Sequence, residues 1–271
     1  MRIGVLVRTG MVAALAAGAF AFPEPARAFE NQMPEAAGGA AAAGESRNPW
    51  AVFRFGFSAY QSGHKDQAVE AYRYAAENGQ IGARWKLARM YAEGDGVARD
   101  EYEAYKFFQE IAQQDVEPGS PDEAYVSDAL FALGGYARIG IPGTNVAANP
   151  QAATDYYTRA AVNYRHPGAQ FELGRMFLNG EGVRANVQQA ARWLQLAAEK
   201  GHAGAQATLG NLLFESGRVV RGLAMMTAAL HRAPSSDQAW IRSMQEEAFA
   251  LSGEADRRTA IALAEDIIVG N

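Results

Sequence analysis

Apolar residues along this chain follow a helical spacing that recurs five times. A small residue is followed by mostly bulky residues at the third and fourth positions and by small or apolar residues at the seventh and eighth, as in Ala190, Trp193, Leu194, Ala197 and Ala198. Such offsets lie on one face of an α-helix, so each stretch predicts an amphipathic helix with a buried stripe. The five stretches begin at Ala68, Ala104, Ala153, Ala190 and Gly222.

A second helical stretch precedes each of these and places a small residue beside a bulky one. Leu173 and Gly174 show this pattern, and the first copy is degenerate around Gly56. A small residue next to a bulky one lets two helices approach closely, with a side chain of one helix filling a notch in the other. Each unit therefore predicts a helical hairpin. The complete pairs are Leu87 with Ala88, Leu133 with Gly134, Leu173 with Gly174, and Leu209 with Gly210.

The spacing of the hairpins predicts how they assemble. Units of this length stack into a solenoid in which neighbours share one core. We therefore expect an all-α fold, a right-handed α-solenoid with five stacked hairpins over residues 49–234. The third unit is lengthened by the insert GIPGTNVAANP, from Gly140 to Pro150, which is too rich in glycine and proline to continue a helix.

The carboxyl-terminal residues 235–271 are expected to form capping helices. Ser235 and Gln238 have the spacing of a capping box, and an apolar side follows through Trp240 and Phe249. A solenoid needs its last open face covered, which is the role that these helices would fill.

The amino terminus has the organisation of an exported protein. A short basic start precedes an apolar run from Met11 to Phe22 that is too short to span a bilayer. Ala26-Arg27-Ala28 then supplies the small residues that a signal peptidase requires. We expect residues 1–28 to be a signal peptide cleaved after Ala28, which places the mature chain in the periplasm without a membrane span. The alternative is an uncleaved amphipathic anchor.

Composition narrows the possible partners. The chain has no cysteine, which removes disulfides, thiolate metal sites, cysteine nucleophiles and a lipidated cysteine. Its net charge is -5, and residues 1–28 contain three arginines and one glutamate, so the net charge of the mature chain is -7. Nucleic acid is therefore not expected as a partner. Residues 29–48, rich in Ala, Gly and Glu, are expected to form a flexible segment.

A Gly-x-Gly-Val segment occurs twice and admits two interpretations. Gly94-Asp95-Gly96 and Gly180-Glu181-Gly182 resemble phosphate-binding loops in glycine content alone. A phosphate loop follows a strand, opens a helix and carries a third glycine or a Lys-Ser/Thr pair, whereas these segments follow helices and carry an acid. We therefore interpret them as turns that end the first helix of a hairpin, with the following valine packed back under it.

The chain offers little that would support catalysis. Its four histidines, His64, His166, His202 and His231, have no metal-ligand spacing, and the serines lack a nucleophile elbow. We expect no enzymatic activity, no cofactor and no metal. His64 and His202 stand where the backbone reverses, which favours a solvated or capping role, and the alternative is pH sensing through weakened partner contacts.

At the level of whole motifs, the chain resembles the Sel-one-like repeats, which are related to tetratricopeptide repeats. The resemblance rests on leucine, glycine, an aromatic residue, Gly-x-Gly-Val and the small–aromatic helix, and residues 173–201 match it almost position for position. It implies a non-enzymatic scaffold for protein–protein interaction. Some periplasmic members of the family are considered β-lactamases and have paired cysteines in each repeat, which this chain lacks.

In the related repeats, the first helix of each hairpin lines the concave side, and the residue two positions after the leucine points into it. The resemblance thus implies a partner-binding concave face that includes Arg89, Arg175 and Asn211, with Arg138 near by in the inserted unit. Arginines in an otherwise acidic protein suit an acidic or planar group of a partner. The alternative is that these arginines are ordinary solvated surface residues.

Four further segments, FRFGFSAYQSGHKDQAVEAYRYAAENG, EPGSPD, GIPGT and RGLAMMTAAL, are similar to those of periplasmic regulators from rhizobia and their relatives. That resemblance implies a negative regulator of exopolysaccharide synthesis whose partner is the periplasmic domain of a two-component sensor histidine kinase. Two alternatives remain open. One is a general envelope adaptor for secretion or polysaccharide assembly without a kinase, and the other is a periplasmic hydrolase like the cysteine-containing relatives.

Overall fold

The computed structural model describes residues 48–269, all of which belong to one compact unit. The expected signal peptide over residues 1–28 and all but the last residue of segment 29–48 lie outside the described residues. Residues 48–269 form twelve α-helices and no strand, which confirms the predicted all-α fold. The helices are α1 (Pro49–Gln61), α2 (Lys65–Glu77), α3 (Ile81–Glu93), α4 (Glu101–Ala112), α5 (Asp122–Ile139), α6 (Pro150–Asn163), α7 (Pro167–Asn179), α8 (Val187–Glu199), α9 (Ala203–Glu215), α10 (Val219–Arg232), α11 (Ser235–Ala250) and α12 (Glu254–Val269).

Consecutive helices pair into five hairpins, α1 with α2, α3 with α4, α5 with α6, α7 with α8, and α9 with α10. Each second helix also packs against the first helix of the next hairpin, so that α2 contacts α3, α4 contacts α5, α6 contacts α7 and α8 contacts α9. Every hairpin therefore shares its interior with its neighbours. This is the arrangement of a helical-repeat solenoid, in which stability comes from contacts within and between adjacent units.

The buried stripe predicted for the second helices is present, and it is centred on the fourth position after the small residue. The residue four positions after the initial small residue is fully buried in all five copies, whereas the residue one position earlier is half-buried in four of them. Burying an aromatic or large aliphatic side chain contributes roughly 1.5–3 kcal/mol. The fully buried residues are Tyr72, Phe108, Tyr157, Leu194 and Met226.

Notches in the first helices receive these side chains. A Cβ added to Gly56 would lie 2.7 Å from a ring atom of Tyr72, and one added to Gly174 would lie 2.7 Å from Cγ of Leu194. No real Cβ makes such a contact, so the hairpin closes to this distance only because the side chain is absent. The small residues of the first helix are thus required by packing, as the sequence predicts.

The Gly-x-Gly segments are helix-ending turns. Gly94 and Gly180 have φ of 73° and 69° and donate their N–H groups to the carbonyls of Met90 and Met176, which ends α3 and α7. The second glycines, at 96 and 182, also have positive φ, of 78° and 68°. Only glycine adopts this left-handed conformation without strain, which explains why both turns have glycine at the same two positions.

Side-chain caps set where several helices begin. Asn48, Asp100, Asn149 and Asn186 accept hydrogen bonds from the first turns of α1, α4, α6 and α8. Caps of this kind typically contribute about 1 kcal/mol each. The capping box predicted at Ser235 is wrong, because Ser235 is the first residue of α11, follows Pro234 at the N-cap position, and makes no side-chain cap hydrogen bond.

The last two helices both pack on the fifth hairpin. Helix α11 contacts α9 and α10, and α12 contacts α10. Ala260 and Ala264 of α12 join Leu223 and Met226 of α10 in a buried cluster. Between residues 48 and 269, no helix combines the length and the apolar character needed to cross a membrane.

Candidate partner-binding face

The first helices of the hairpins form the inner layer of the stack. Helix α3 packs on α5, α7 on α9 and α9 on α11, whereas α2, α4, α6, α8 and α10 do not pack closely on one another. In a curved stack the helices that approach one another most closely lie on the inner side of the curve. The candidate residues Arg89, Arg138, Arg175 and Asn211 all belong to first helices and therefore to this inner layer.

A row of aromatic residues joins successive first helices, and the sequence analysis missed it. Phe53, Trp85, Phe131 and Phe171 occupy equivalent positions, two residues before the leucine of the first helix or its counterpart. We call these four residues the aromatic ladder. The ring of Phe171, for example, lies against Gly204 at the start of the next first helix, where an added Cβ would be 3.2 Å from Cζ. The recurring Gly-Ala pair that opens α3, α7 and α9 was the available sequence signal.

Arg138 is the most extensively bonded of the four candidate residues. Its Nε and Nη2 donate to the two carboxylate oxygens of Glu181 at 2.6 and 2.7 Å, and its Nη1 donates to Glu172 at 2.9 Å. The hydrogen bond to Glu181 is the main cause that raises the pKa of Arg138 above its usual value. Since Arg138 lies in α5, Glu172 in α7 and Glu181 in the following turn, this guanidinium joins the third hairpin to the fourth.

In the Gly94–Gly96 turn, the acid between the two glycines also bonds to the preceding hairpin. Asp95 accepts hydrogen bonds from the hydroxyl of Tyr60 and from Nζ of Lys65, both in the preceding hairpin. Burial alone would raise the pKa of Asp95, but the hydrogen bonds from Lys65 and Tyr60 outweigh it and the pKa is lowered. The bond to Asp95 raises the pKa of Tyr60 to about 12. Asp95 and Glu181 thus tether each Gly-x-Gly turn to the hairpin before it.

The other three candidates also have acidic neighbours on their own helices. Nη2 of Arg89 donates to Glu93 at 2.7 Å, Nη1 of Arg175 to Glu172 at 3.2 Å, and Nδ2 of Asn211 to Glu215 at 2.9 Å. The guanidinium groups of Arg89 and Arg175 lie 5.1 and 5.7 Å from the ring centres of Trp85 and Phe171. These distances are within the range of cation–π attraction, which holds each planar group against its ring.

The inner face is therefore a mixed surface of arginines and glutamates rather than a basic stripe. The arginines alternate with the carboxylates of Glu93, Glu172 and Glu215, and Arg89 and Arg175 are backed by aromatic rings. Such a face favours a partner that itself carries both signs of charge, because each ion pair opened on binding would be replaced by another. Planar guanidinium groups held against rings are also ordered before binding, which reduces the entropy that binding loses.

Two of the four histidines are capping residues of the inner layer. Nδ1 of His166 and of His202 accepts a hydrogen bond from the backbone N–H three residues later, at 3.1 and 3.2 Å. Their rings lie 4.7 and 4.5 Å from those of Phe131 and Phe171 in the aromatic ladder. The expected capping role is thus found for His202, whereas His64 is exposed and forms no cap hydrogen bond.

Residues 48–269 contain no group of three or more His, Cys, Asp or Glu side chains that could hold a metal ion. Nε2 of His166 lies 3.2 Å from Oδ1 of Asp128, and this pair joins the third hairpin to the fourth, with His166 buried and Asp128 partly buried.

Stacked hairpins with glycine notches and Gly-x-Gly turns define a Sel1-type helical-repeat scaffold. The Sel1 repeat family matches residues 81–116, 127–161 and 167–202, which correspond to hairpins α3–α4, α5–α6 and α7–α8. The crystal structure of a Sel1 repeat protein from Oxalobacter formigenes superimposes with a TM-score of 0.59 at 24% identity. That match covers 81% of this chain and 88% of the other, and shows a shared fold.

Two curated relatives match along nearly their whole length. An exopolysaccharide production negative regulator of Rhizobium meliloti (strain 1021) is 50% identical over 100% of this chain and 96% of its own. A protein of the same name from Rhizobium leguminosarum bv. viciae is 47% identical over 93% of this chain and 92% of its own. The chain belongs to the same Sel1-repeat family as these two regulators. The relatives' names and the repeats together support a regulatory role exercised through protein–protein contacts.

Proposed function

We propose that this protein is a negative regulator of exopolysaccharide synthesis that acts in the periplasm as a non-enzymatic scaffold. The observation that carries the proposal is the 50% identity, over 100% of this chain and 96% of the relative, to a regulator of that name. The match therefore spans all five hairpins, which together form the surface that a partner meets.

The partner in this proposal is the extracytoplasmic domain of a two-component sensor histidine kinase, which the protein holds inactive. A protein exported by the predicted signal peptide is separated from the cytoplasm, where sugar nucleotides are made and genes are transcribed. Its regulatory effect must therefore pass through a membrane-spanning protein. A sensor kinase has both an extracytoplasmic domain to bind and a cytoplasmic domain that relays the change.

We assign the kinase contact to the inner face, with Arg89, Arg175 and Asn211 as the contacting residues. Arg175 is more exposed than Arg89, with 37% against 20% of the side chain accessible, and its guanidinium lies against the ring of Phe171. Arg138, which has 21% of its side chain accessible and three hydrogen bonds to Glu172 and Glu181, acts by holding the third and fourth hairpins in register.

The proposal is tested by isolating the protein from its host with an affinity tag and identifying its partner. A sensor kinase recovered with the tagged chain, together with overproduction of exopolysaccharide when the gene is deleted, is the expected result. Recovery of a secretion or polysaccharide-assembly machine without a kinase would contradict the proposal and favour the general envelope adaptor.

The binding face is tested separately with point variants and the purified kinase domain. We expect the double variant Arg89→Ala/Arg175→Ala to weaken binding by roughly tenfold or more, because arginine is one of the residue types enriched at binding hot spots. The matched control is Arg258→Ala, which removes an exposed arginine with an acidic neighbour, Glu254, on the terminal helix α12. Equal weakening by the control would exclude the inner face as the contact surface.

A further inference from the structure

The two longest connections of the repeat array both border one groove between α4 and α6. Residues 113–121 join α4 to α5, and residues 140–149 join α5 to α6. Both are longer than the connection a Sel1-type unit uses elsewhere in the chain, and both contribute residues to the space between α4 and α6. Irregular loops held by a rigid scaffold are where binding sites concentrate.

The groove consists of two adjoining cavities of about 450 and 740 Å³. Gln109 of α4 and Tyr156 of α6 line both cavities, so the two form one continuous feature. The floor is provided by α5, through Leu133 and Ala137. Both volumes lie within the range of about 300–1,000 Å³ that small-ligand sites occupy, and together they suit an extended ligand.

Three tyrosines line the walls. Tyr102 and Tyr105 stand one helical turn apart on α4, with ring centres 6.4 Å apart and planes 15° from parallel, and Tyr156 faces them from α6. Nε2 of Gln109 donates to the hydroxyl of Tyr105 at 2.9 Å, which fixes that ring. Each of the three tyrosines is only partly buried, so ring surface remains accessible in the groove.

Six amide side chains form the largest group among the remaining lining residues. Among the residues that line the groove, aliphatic side chains larger than alanine are confined to Leu133, Val146 and Pro150. Asp115 and Arg159 contribute one charge of each sign. The amides come from α4, from both long connections and from α6, namely Gln109, Gln113, Gln114, Asn145, Asn149 and Gln151.

We propose that this groove binds a linear oligosaccharide. Sugar rings have an apolar C–H face that stacks on tyrosine, and a rim of hydroxyls that both donate and accept hydrogen bonds. An amide side chain also both donates and accepts, so the lining matches that rim. Tyrosine adds a large contact area at a small loss of side-chain entropy. The nearly balanced charge of the groove suits a ligand of low charge.

A proline-rich peptide is the main competing ligand, since such peptides also dock in aromatic grooves. Two features favour the sugar. The groove offers amide groups along its whole length, whereas a polyproline helix presents carbonyl acceptors and no N–H donors at its prolines. The lining also lacks the pocket of aliphatic residues that would take up the side chain of an apolar anchor.

The test uses the purified mature chain, titrated calorimetrically with two probes. The first is cellohexaose, and the second is a set of oligosaccharides released from the host exopolysaccharide by mild acid. Only the second probe rests on the proposed function, and no kinase is present, so failure here leaves the regulatory proposal intact. We expect at least one probe to bind, and Tyr156→Ala to weaken that binding by roughly tenfold, a loss typical of removing one stacked ring.

Two further variants separate loss of the site from loss of the fold. Ala147→Trp adds a large ring at an exposed loop position within the groove, so it is expected to block binding without removing any packing contact. Tyr74→Ala, which removes a half-buried tyrosine of α2 outside the groove, should leave binding unchanged. Circular dichroism checks that each variant is folded. Failure of both probes to bind, equal effects of Tyr74→Ala and Tyr156→Ala, or binding of a decaproline peptide in place of the sugars would overturn the proposal.

Discussion

Gly134 and Tyr157 lie in contact that leaves no room for another atom, since a Cβ added to Gly134 would stand 2.4 Å from Cε1 of the tyrosine ring. Gly134→Ala should therefore destabilise the protein, although alanine is the better helix former by about 1 kcal/mol. Overpacking a well-packed site is unfavourable by about 1–3 kcal/mol, and Tyr157 is fully buried and cannot move outward. We expect a lower midpoint of urea unfolding, measured by circular dichroism.

The control for this change is Gly253→Ala. The nearest atom to an added Cβ there is Oδ2 of Asp256 at 3.8 Å, which is ordinary contact, so stability should change by no more than about 0.5 kcal/mol. If Gly134→Ala proved as stable as the native chain, the notch would not be what limits the approach of α5 and α6.

Arg138 and Glu181 offer a second test, because their two parallel hydrogen bonds join α5 of the third hairpin to the turn after α7 in the fourth. About a quarter of each side chain is accessible (21% and 27%), so solvent weakens the attraction. We expect a double-mutant cycle with Arg138→Ala and Glu181→Ala to give a coupling free energy of about 1 kcal/mol. Arg138→Lys should lose most of it, since lysine cannot make two parallel bonds.

The matched pair for this cycle is Arg258 with Glu254, whose side chains are 75% and 80% accessible. Their coupling should lie near zero to 0.5 kcal/mol, about the value for exposed helix pairs. Equal coupling in both pairs would mean that the Arg138 bonds add nothing specific to the junction between the third and fourth hairpins.

The sequence predicted the features that repeat with a fixed spacing. The buried stripe from Ala190 to Ala198, the notch at Gly174 and the turn at Gly180 all follow from local rules on helical period, small residues and backbone conformation. These rules act within one hairpin, so the same pattern of residues recurs in each repeat. This recurrence is what made the helices, notches and turns predictable from the sequence.

Features that join different hairpins were the ones missed. The partners Arg138 and Glu181 are 43 positions apart, and nothing local in the sequence indicates that the acid of a Gly-x-Gly turn reaches back to the previous unit. The groove between α4 and α6 was missed for a related reason. Its lining comes from three helices and two connections that are separate in the sequence. Tyr156 follows Ala153 by three positions and so belongs to the stripe predicted as buried, but it is only half-buried and lines the groove.

Because His202 caps α9 with a neutral ring, we expect the folded protein to lose stability in mild acid. Burial is the main cause that lowers the pKa of His202 in the folded protein, with a smaller contribution from the charge of His166, whereas Asp237 acts in the opposite direction. A lowered folded pKa means that the unfolded chain binds the proton more readily. The stability that the neutral ring contributes is therefore complete above the unfolded pKa of about 6.5 and is lost as the pH falls through the lowered folded value.

Thermal unfolding of His202→Asn against pH provides the measurement. Asparagine keeps a cap acceptor without titrating in this range, so the variant should lose less stability than the native chain between about pH 7 and pH 5. The control is His64→Asn, because His64 is exposed and makes no cap hydrogen bond. A native pH profile in His202→Asn would remove this histidine from the acid response.

Helix α12 is expected to be the cover that the fifth hairpin requires. Deleting residues 253–271 would expose Leu223 and Met226 of α10, which Ala260 and Ala264 now help to bury, so the truncated chain should aggregate or be degraded by trypsin faster than the native chain. The point variant Ala260→Glu should have the same direction of effect, because it places a charge in a fully buried position. Ile261→Glu is the neighbouring control, since Ile261 is 46% accessible and can take a charge into water. A soluble and cooperatively unfolding truncation, measured by sedimentation and circular dichroism, would show that the fifth hairpin needs no cover.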